Sequence, residues 1–111
     1  MSSRLAAGLW VRSVIRRAQA AGDFAVIVKK GDETAGQVLL VARDRSGRCQ
    51  VFSRAMNSLG RYGWTVAVDA GQEELSKVNE YLERQTRYDP DLWIVELDTG
   101  NPERFVDDEL I

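Results

Sequence analysis

At 111 residues, 44% hydrophobic and 29% charged, the chain has the size and composition of one ordinary globular domain rather than a disordered segment. It contains no histidine and a single cysteine, Cys49. That excludes Ser-His-Asp and Cys-His catalysis, histidine-based metallohydrolase motifs, an intrachain disulfide and a thiolate zinc cage.

Residues 4–21 read as an amphipathic helix. Ala7, Trp10, Val11, Val14, Ala18 and Ala21 recur at i, i+3, i+4 spacing, Ser2 or Ser3 offers an N-cap, and Gly22 a C-terminal stop. Arg12, Arg16 and Gln19 lie opposite that stripe. Leu5 and Leu9 fall on the arginine side, so they are either covered by another segment or meet a partner. Four arginines and no acid within the first 22 residues superficially resemble an organelle presequence. The apolar run Leu5–Val11 ends at Arg12 without a cleavage-like tail, and no stretch approaches the ~20 apolar residues of a membrane span, so a folded cytoplasmic helix is expected.

After Asp23 the period changes. Phe24–Val28 is a continuous apolar run suited to a strand buried on both faces. Gly31–Gly36 reads as a turn, Val38–Ala42 as a second apolar strand, Arg45–Arg48 as a tight hairpin and Cys49–Arg54 as a third strand. A looser loop at Met56–Gly63 precedes Trp64, Val66 and Val68, which alternate with Thr65, Ala67 and Asp69 as in a half-buried strand. Short turns between these four strands predict an antiparallel meander. Residues 72–87 return to helix, with Leu75, Val78 and Leu82 as the stripe, Tyr81 beside it, and Glu73–Lys77, Glu80–Arg84 and Glu83–Arg87 at i, i+4. Asp89-Pro90 stops that helix, Leu92–Leu97 forms a fifth strand, and Phe105-Val106 suits a short edge piece. The expectation is one α+β domain over residues 1–111, order αββββαβ, with residues 107–111 a frayed tail. Its five-stranded sheet, antiparallel or mixed, carries two helices, and its last strand pairs with its first.

Charge is unevenly spread. Residues 1–62 hold 11 Lys+Arg against 4 Asp+Glu, and residues 63–111 hold 4 against 13. The halves either neutralise each other across the fold or present faces of opposite sign. A nucleic-acid surface would draw on Arg12, Arg16, Arg17, Arg43, Arg45, Arg48, Arg54 and Arg61, interleaved with Phe52, Tyr62 and Trp64, although a pI near 5.2 argues against it. Gly31–Gly36 lacks the helix and following lysine of a phosphate cradle. Asp89, Asp91 and Glu96 offer paired carboxylates for a hard cation or for acid–base work, yet match no calcium loop; Arg12, Arg16 and Arg87 are their candidate partners. Cys49 beside Arg48 is either an activated thiol or a buried structural one.

Two stretches, RLAAGLWVRSVIRR at 4–17 and RYDPDLWIVEL at 87–97, together with the GD…AG segment at 31–36, resemble a family of small alphaproteobacterial proteins known as domain of unknown function 1491. The resemblance implies a bacterial cytosolic protein with a compact single domain; it brings no activity or cofactor. It directs attention to Leu9, Trp10, Arg12 and Arg16, and to Arg87, Tyr88, Asp89, Asp91, Trp93 and Glu96. These serve as core anchors, a helix stop and arginine–carboxylate ties, or they border one recognition surface. The leading functional expectation is a non-catalytic module that binds another protein or itself. Its candidate site is the Leu5, Leu9, Arg12 and Arg16 side of the first helix, with Arg87, Asp89 and Asp91. A nucleic-acid-binding accessory protein is the alternative, and a carboxylate enzyme or metal site at Asp89, Asp91 and Glu96 the third. No catalytic residue, cofactor, metal or membrane partner is expected.

Overall fold

The apolar pattern folds into one sheet with a helix on each face. The computed structural model describes residues 6–56, 59–60, 62–102 and 105. Leu5, Ser2, Ser3, Arg61, Val106 and the expected tail 107–111 lie outside them. The elements are α1 (Ala7–Ala20), β1 (Phe24–Lys29), β2 (Val38–Arg43), β3 (Cys49–Met56), β4 (Tyr62–Ala70), a single 3-10 turn (Gln72–Glu74), α2 (Leu75–Tyr88) and β5 (Trp93–Asp98), in the expected order αββββαβ.

The sheet is mixed and open, with strand order β1-β5-β2-β3-β4. β5 pairs with β1, as expected; that pairing is antiparallel, and β5 also pairs parallel with β2. The antiparallel meander is therefore confined to β2–β3–β4 and does not include β1. The physical reason lies in the Gly31–Gly36 segment. Instead of closing a hairpin it spans the width of one strand, ~10 Å between strands two places apart, and β5 fills the gap. Its amide at Asp32 donates to the Asp91 carbonyl at 2.8 Å.

Two apolar clusters sandwich the sheet. Trp10, Val11, Val14 and Ala18 of α1 pack on Leu40, Phe52, Trp64, Trp93, Val95 and Leu97, with Trp10 and Trp64 stacked at 4.8 Å between centroids. On the other face Val78, Leu75, Tyr81 and Leu82 of α2 pack on Leu39, Val41, Val51, Val68 and Ile94. Each fully buried aliphatic or aromatic side chain contributes ~1.5–3 kcal/mol relative to exposure, so the two clusters hold most of the stability. Ala21, expected in the α1 stripe, is exposed at the helix end, and Gly22 follows it at φ 81° in the left-handed conformation that terminates the helix.

Several expectations need correction. Phe24–Val28 is an edge strand in which Ala25 alone is buried, because β5 takes one side and nothing described takes the other. The alternation expected along β4 is broken by a bulge opposite Val51/Phe52: Trp64 joins the α1 cluster and Val68 the α2 cluster. Phe105, expected in an edge strand, packs in the α1 cluster beneath the Arg17 guanidinium, 5.3 Å from the ring centroid. The N-cap of α1 is Ala6, with no side-chain cap. On α2, Lys77 pairs with Glu74 rather than Glu73, and no Glu80–Arg84 or Glu83–Arg87 ion pair forms among the described residues.

Candidate functional site

The segment between β1 and β2 gathers the three stretches singled out in the sequence. Its carbonyls at Thr34 and Glu33 accept the Ala7 and Gly8 amides at 3.3 and 2.9 Å, so backbone oxygens do the capping that a serine was expected to do. Glu33 takes Arg12 in a two-point ion pair, Nη1–Oε1 3.0 Å and Nη2–Oε2 2.9 Å. Arg12 holds the Glu33 carboxyl below its ordinary range. Asp32 folds its carboxylate back onto the amides of Ala35 and Thr34, which lowers its pKa as well. The Asp32 carbonyl accepts the buried Trp93 indole N–H at 2.7 Å. Beside it the Lys29 ammonium donates to the carbonyls of Pro90 at 2.6 Å and Leu92 at 3.1 Å. This region therefore fastens α1, β1, β2 and the α2–β5 turn to one another.

The candidate residues take up different parts. Arg12 is committed to Glu33. Leu9, 58% exposed, and Arg16 stand on the solvent side of α1, as the helical period required; Leu5 lies outside the described residues. Asp89 caps the end of α2 and accepts the Asp91 amide at 3.0 Å, a turn-forming role. Arg87 and Tyr88 are exposed in the last turn of α2. Trp93 is a core anchor. Glu96 stands three residues into β5, ~10 Å of strand rise from its start, and pairs with Arg43 at 3.6 Å. Asp89, Asp91 and Glu96 thus form no carboxylate cluster, and no metal-binding group of His, Cys, Asp or Glu forms among the described residues. None of the three pairs with Arg12, Arg16 or Arg87 among the described residues.

Cys49 is fully buried, and burial pushes its thiol pKa up, the opposite of activation. Of the aromatics that would stack bases, Phe52 and Trp64 are buried in the core, while Arg54 lies over the Trp10 ring and Arg48 grips Asp69 through Nε–Oδ1 at 2.8 Å. The Arg43–Glu96 and Arg48–Asp69 pairs join the basic half of the sequence to the acidic half.

What the sequence reading missed is the β1 edge. Phe24, Val26, Ile27 and Val28 are all exposed, Phe24 at 62% and Val28 at 57%. Val28 is the extra residue of a bulge between the Ile27–Val95 and Lys29–Ile94 pairs. On the α2 side, α2 packs on β3 and β4, leaving Phe24 and Val26 beside the uncovered Glu96, Asp98 and Arg43. The apolar run Phe24–Val28 carries no local mark of an edge, because a central and an edge strand share one pattern. A cleft of about 410 Å³ opens next to this edge, at the carboxyl ends of β2 and β5, lined by Asp23, Phe24, Arg43, Arg45, Asp98 and Thr99. Within it Thr99 Oγ1 donates to Asp23 at 2.8 Å, and Arg43 pairs with Glu96.

These features define a small α+β domain with an open mixed sheet, in which the described residues assemble no catalytic constellation and leave an apolar strand edge bare. The chain belongs to the family described as protein of unknown function (DUF1491), whose model matches residues 5–107. A crystal structure of a DUF1491 family protein from Caulobacter crescentus is 38% identical, covers 92% of this chain and 94% of its own, and superposes with a TM-score of 0.82. The solution structure of protein Atu0922 from A. tumefaciens is 33% identical, with coverage of 97% and 95% and a TM-score of 0.79. No curated protein matches the chain. No helix among the described residues is long and apolar enough to cross a membrane.

Proposed function

We propose that the chain is a non-catalytic interaction module of the bacterial cytoplasm, docking polypeptide through the β1 edge and the solvent side of α1. The observation that carries this reading is the row Phe24, Val26, Ile27 and Val28, apolar and exposed on a strand with one side unpaired among the described residues. Folded proteins ordinarily blunt such an edge with charges, proline or a covering segment, and strand addition is a recurring mode of polypeptide recognition. Leu9 and Arg16 on α1 supply an anchor and a charge of the kind interfaces favour. Asp89 and Asp91, held at the loop that also receives α1, border the same end of the molecule.

The test is capture from an alphaproteobacterial lysate with tagged wild type, Phe24→Glu and Leu9→Glu. A partner retained by wild type and lost from either variant, with both variants folded, supports the reading. Identical captures from all three would remove it. A salt-sensitive mobility shift with labelled RNA or DNA would instead favour nucleic acid as the ligand.

A further inference from the structure

Thr99, a buried residue, ties three strand ends together. Its amide donates to the Arg43 carbonyl at the end of β2 at 3.1 Å. Its hydroxyl donates to the Asp23 carboxylate, just before β1, at 2.8 Å and accepts the Asn101 amide at 3.1 Å. This junction gives the cleft beside it a fixed wall. The cleft opens at the carboxyl ends of β2 and β5, neighbouring parallel strands, and that is where open sheets characteristically hold ligands. Its volume, about 410 Å³, falls at the lower end of the ~300–1,000 Å³ of small-molecule sites.

Most of the charged groups lining the cleft are already engaged. Asp23 accepts Thr99, Asp44 accepts the Ser46 and Arg48 amides, and Arg43 pairs with Glu96. Asp98 and Arg45 remain. Both are exposed, and neither side chain makes an ion pair or hydrogen bond among the described residues. One charge of each sign thus lines the same cleft without meeting the other. That remainder selects the ligand. A nucleotide would bring several negative charges to one available guanidinium, with Asp98 repelling them. A divalent ion wants a group of oxygen ligands, and no metal-binding group forms among the described residues. A zwitterion answers both charges at once. Phe24 lies directly across the β1–β5 ladder from Asp98, ~5 Å away at Cα, and its 62% exposed ring offers an apolar surface beside the carboxylate.

We propose that this cleft binds a free α-amino acid with an apolar side chain. Its ammonium meets Asp98, its carboxylate meets Arg45, and its side chain packs on Phe24. The site goes beyond polypeptide docking at the strand edge and does not depend on it. All three contacts are exposed, so the dissociation constant should be on the order of 1 mM.

Amide NMR shifts of isotopically labelled protein test this as L-phenylalanine is added to about 20 mM. Saturable shifts should appear at Phe24, Arg45, Thr99 and Gly100, which line the cleft, and not along α2. L-phenylalaninamide lacks the carboxylate and N-acetyl-L-phenylalanine lacks the ammonium; each should bind about two- to fivefold more weakly. Glycine, without an apolar side chain, should bind about tenfold more weakly. Asp98→Asn should lower the affinity for L-phenylalanine about two- to fivefold without lowering that for the acetylated form. Arg45→Gln should do the same with respect to the amide. The analogues probe these contacts in the native chain, so the outcome does not hang on the variants folding. No saturable shift at these amides, equal binding of glycine and L-phenylalanine, or tighter binding there of inorganic phosphate or Mg²⁺ overturns the proposal. Polypeptide docking is judged by capture rather than by these shifts, so either reading can fail alone.

Discussion

The Glu33 carboxylate rests directly on Gly8, in the space a side chain at that position would fill, and from there it reaches the Arg12 guanidinium one turn further along α1. Absence of a Cβ at Gly8 is therefore a condition of the ion pair. Alanine at position 8 gains helix preference, at most about 1 kcal/mol, but displaces the flexible carboxylate. Gly8→Ala should be close to neutral in the native background and clearly stabilising in a Glu33→Ala background. Urea denaturation of the four proteins measures the coupling; strictly additive effects would show that Gly8 and Glu33 are independent.

Gly31 and Gly36 meet a different obstacle. A Cβ at either would overlap the backbone carbonyl of Asp91, which cannot swing aside as a carboxylate can. Gly31→Ala and Gly36→Ala should each destabilise by about 2 kcal/mol or more. Gly100, with open space around it and no positive φ, is the control and should tolerate alanine within about 0.5 kcal/mol. Thermal melts of the three variants decide the matter.

Trp93→Phe removes the indole N–H that satisfies the Asp32 carbonyl and leaves space in the α1 cluster. An unsatisfied acceptor and a partial cavity together should destabilise by about 2–3 kcal/mol. The expected signature is a lower urea midpoint with an unchanged slope.

This much of the fold was legible in sequence for identifiable reasons. Trp10, Val11, Val14 and Ala18 obey a helical period because one side of α1 is buried and the other wet, and that asymmetry is written directly into residue order. Val78 with its half-buried neighbours Leu75 and Leu82 did the same for α2. Strand neighbours are not written that way. Nothing local distinguishes Phe24–Val28 at the rim from Val38–Ala42 in the middle of the sheet, since both are short apolar runs. Likewise Arg12 found Glu33 in the β1–β2 loop rather than an acid of the last strand, because the loop's path depends on β5 inserting beside it.

Acid should weaken the fold. Glu33, Asp32, Asp44, Asp69 and Glu74 all have depressed pKa values, from Arg12, the Ala35 amide, Ser46, Arg48 and Lys77 respectively. A carboxyl whose folded pKa lies below its unfolded one contributes stability that is complete above the unfolded value, ~4, and disappears as pH falls through the folded value. The urea midpoint should therefore decline steadily below about pH 4.5. With no histidine, it should be nearly flat from about pH 6 to 8. A steep change in that upper window would contradict the assignment.

Cys49 should be silent toward thiol reagents in the native state. It is fully buried and its thiol is pushed above the ordinary range by burial. Labelling should proceed only through unfolding, and its rate should track the unfolded fraction as urea rises. Rapid labelling in buffer would show that the strand opens locally.

The parallel contact between β2 and β5 carries a consequence for synthesis. A ribosome releases β1 and β2 long before β5, yet the two early strands have no bond to each other and acquire a shared neighbour only when residues 93–98 appear. Until then β1 has no strand to pair with and α1 lacks the Trp93, Val95 and Leu97 part of its seat, while the β2–β3–β4 hairpins can already form locally. The nascent chain should remain sensitive to protease through most of translation and then become resistant in one late step. Folding of the N-terminal third thus waits on a strand made near the end, and its apolar segments are the stretch most in need of shielding during that delay.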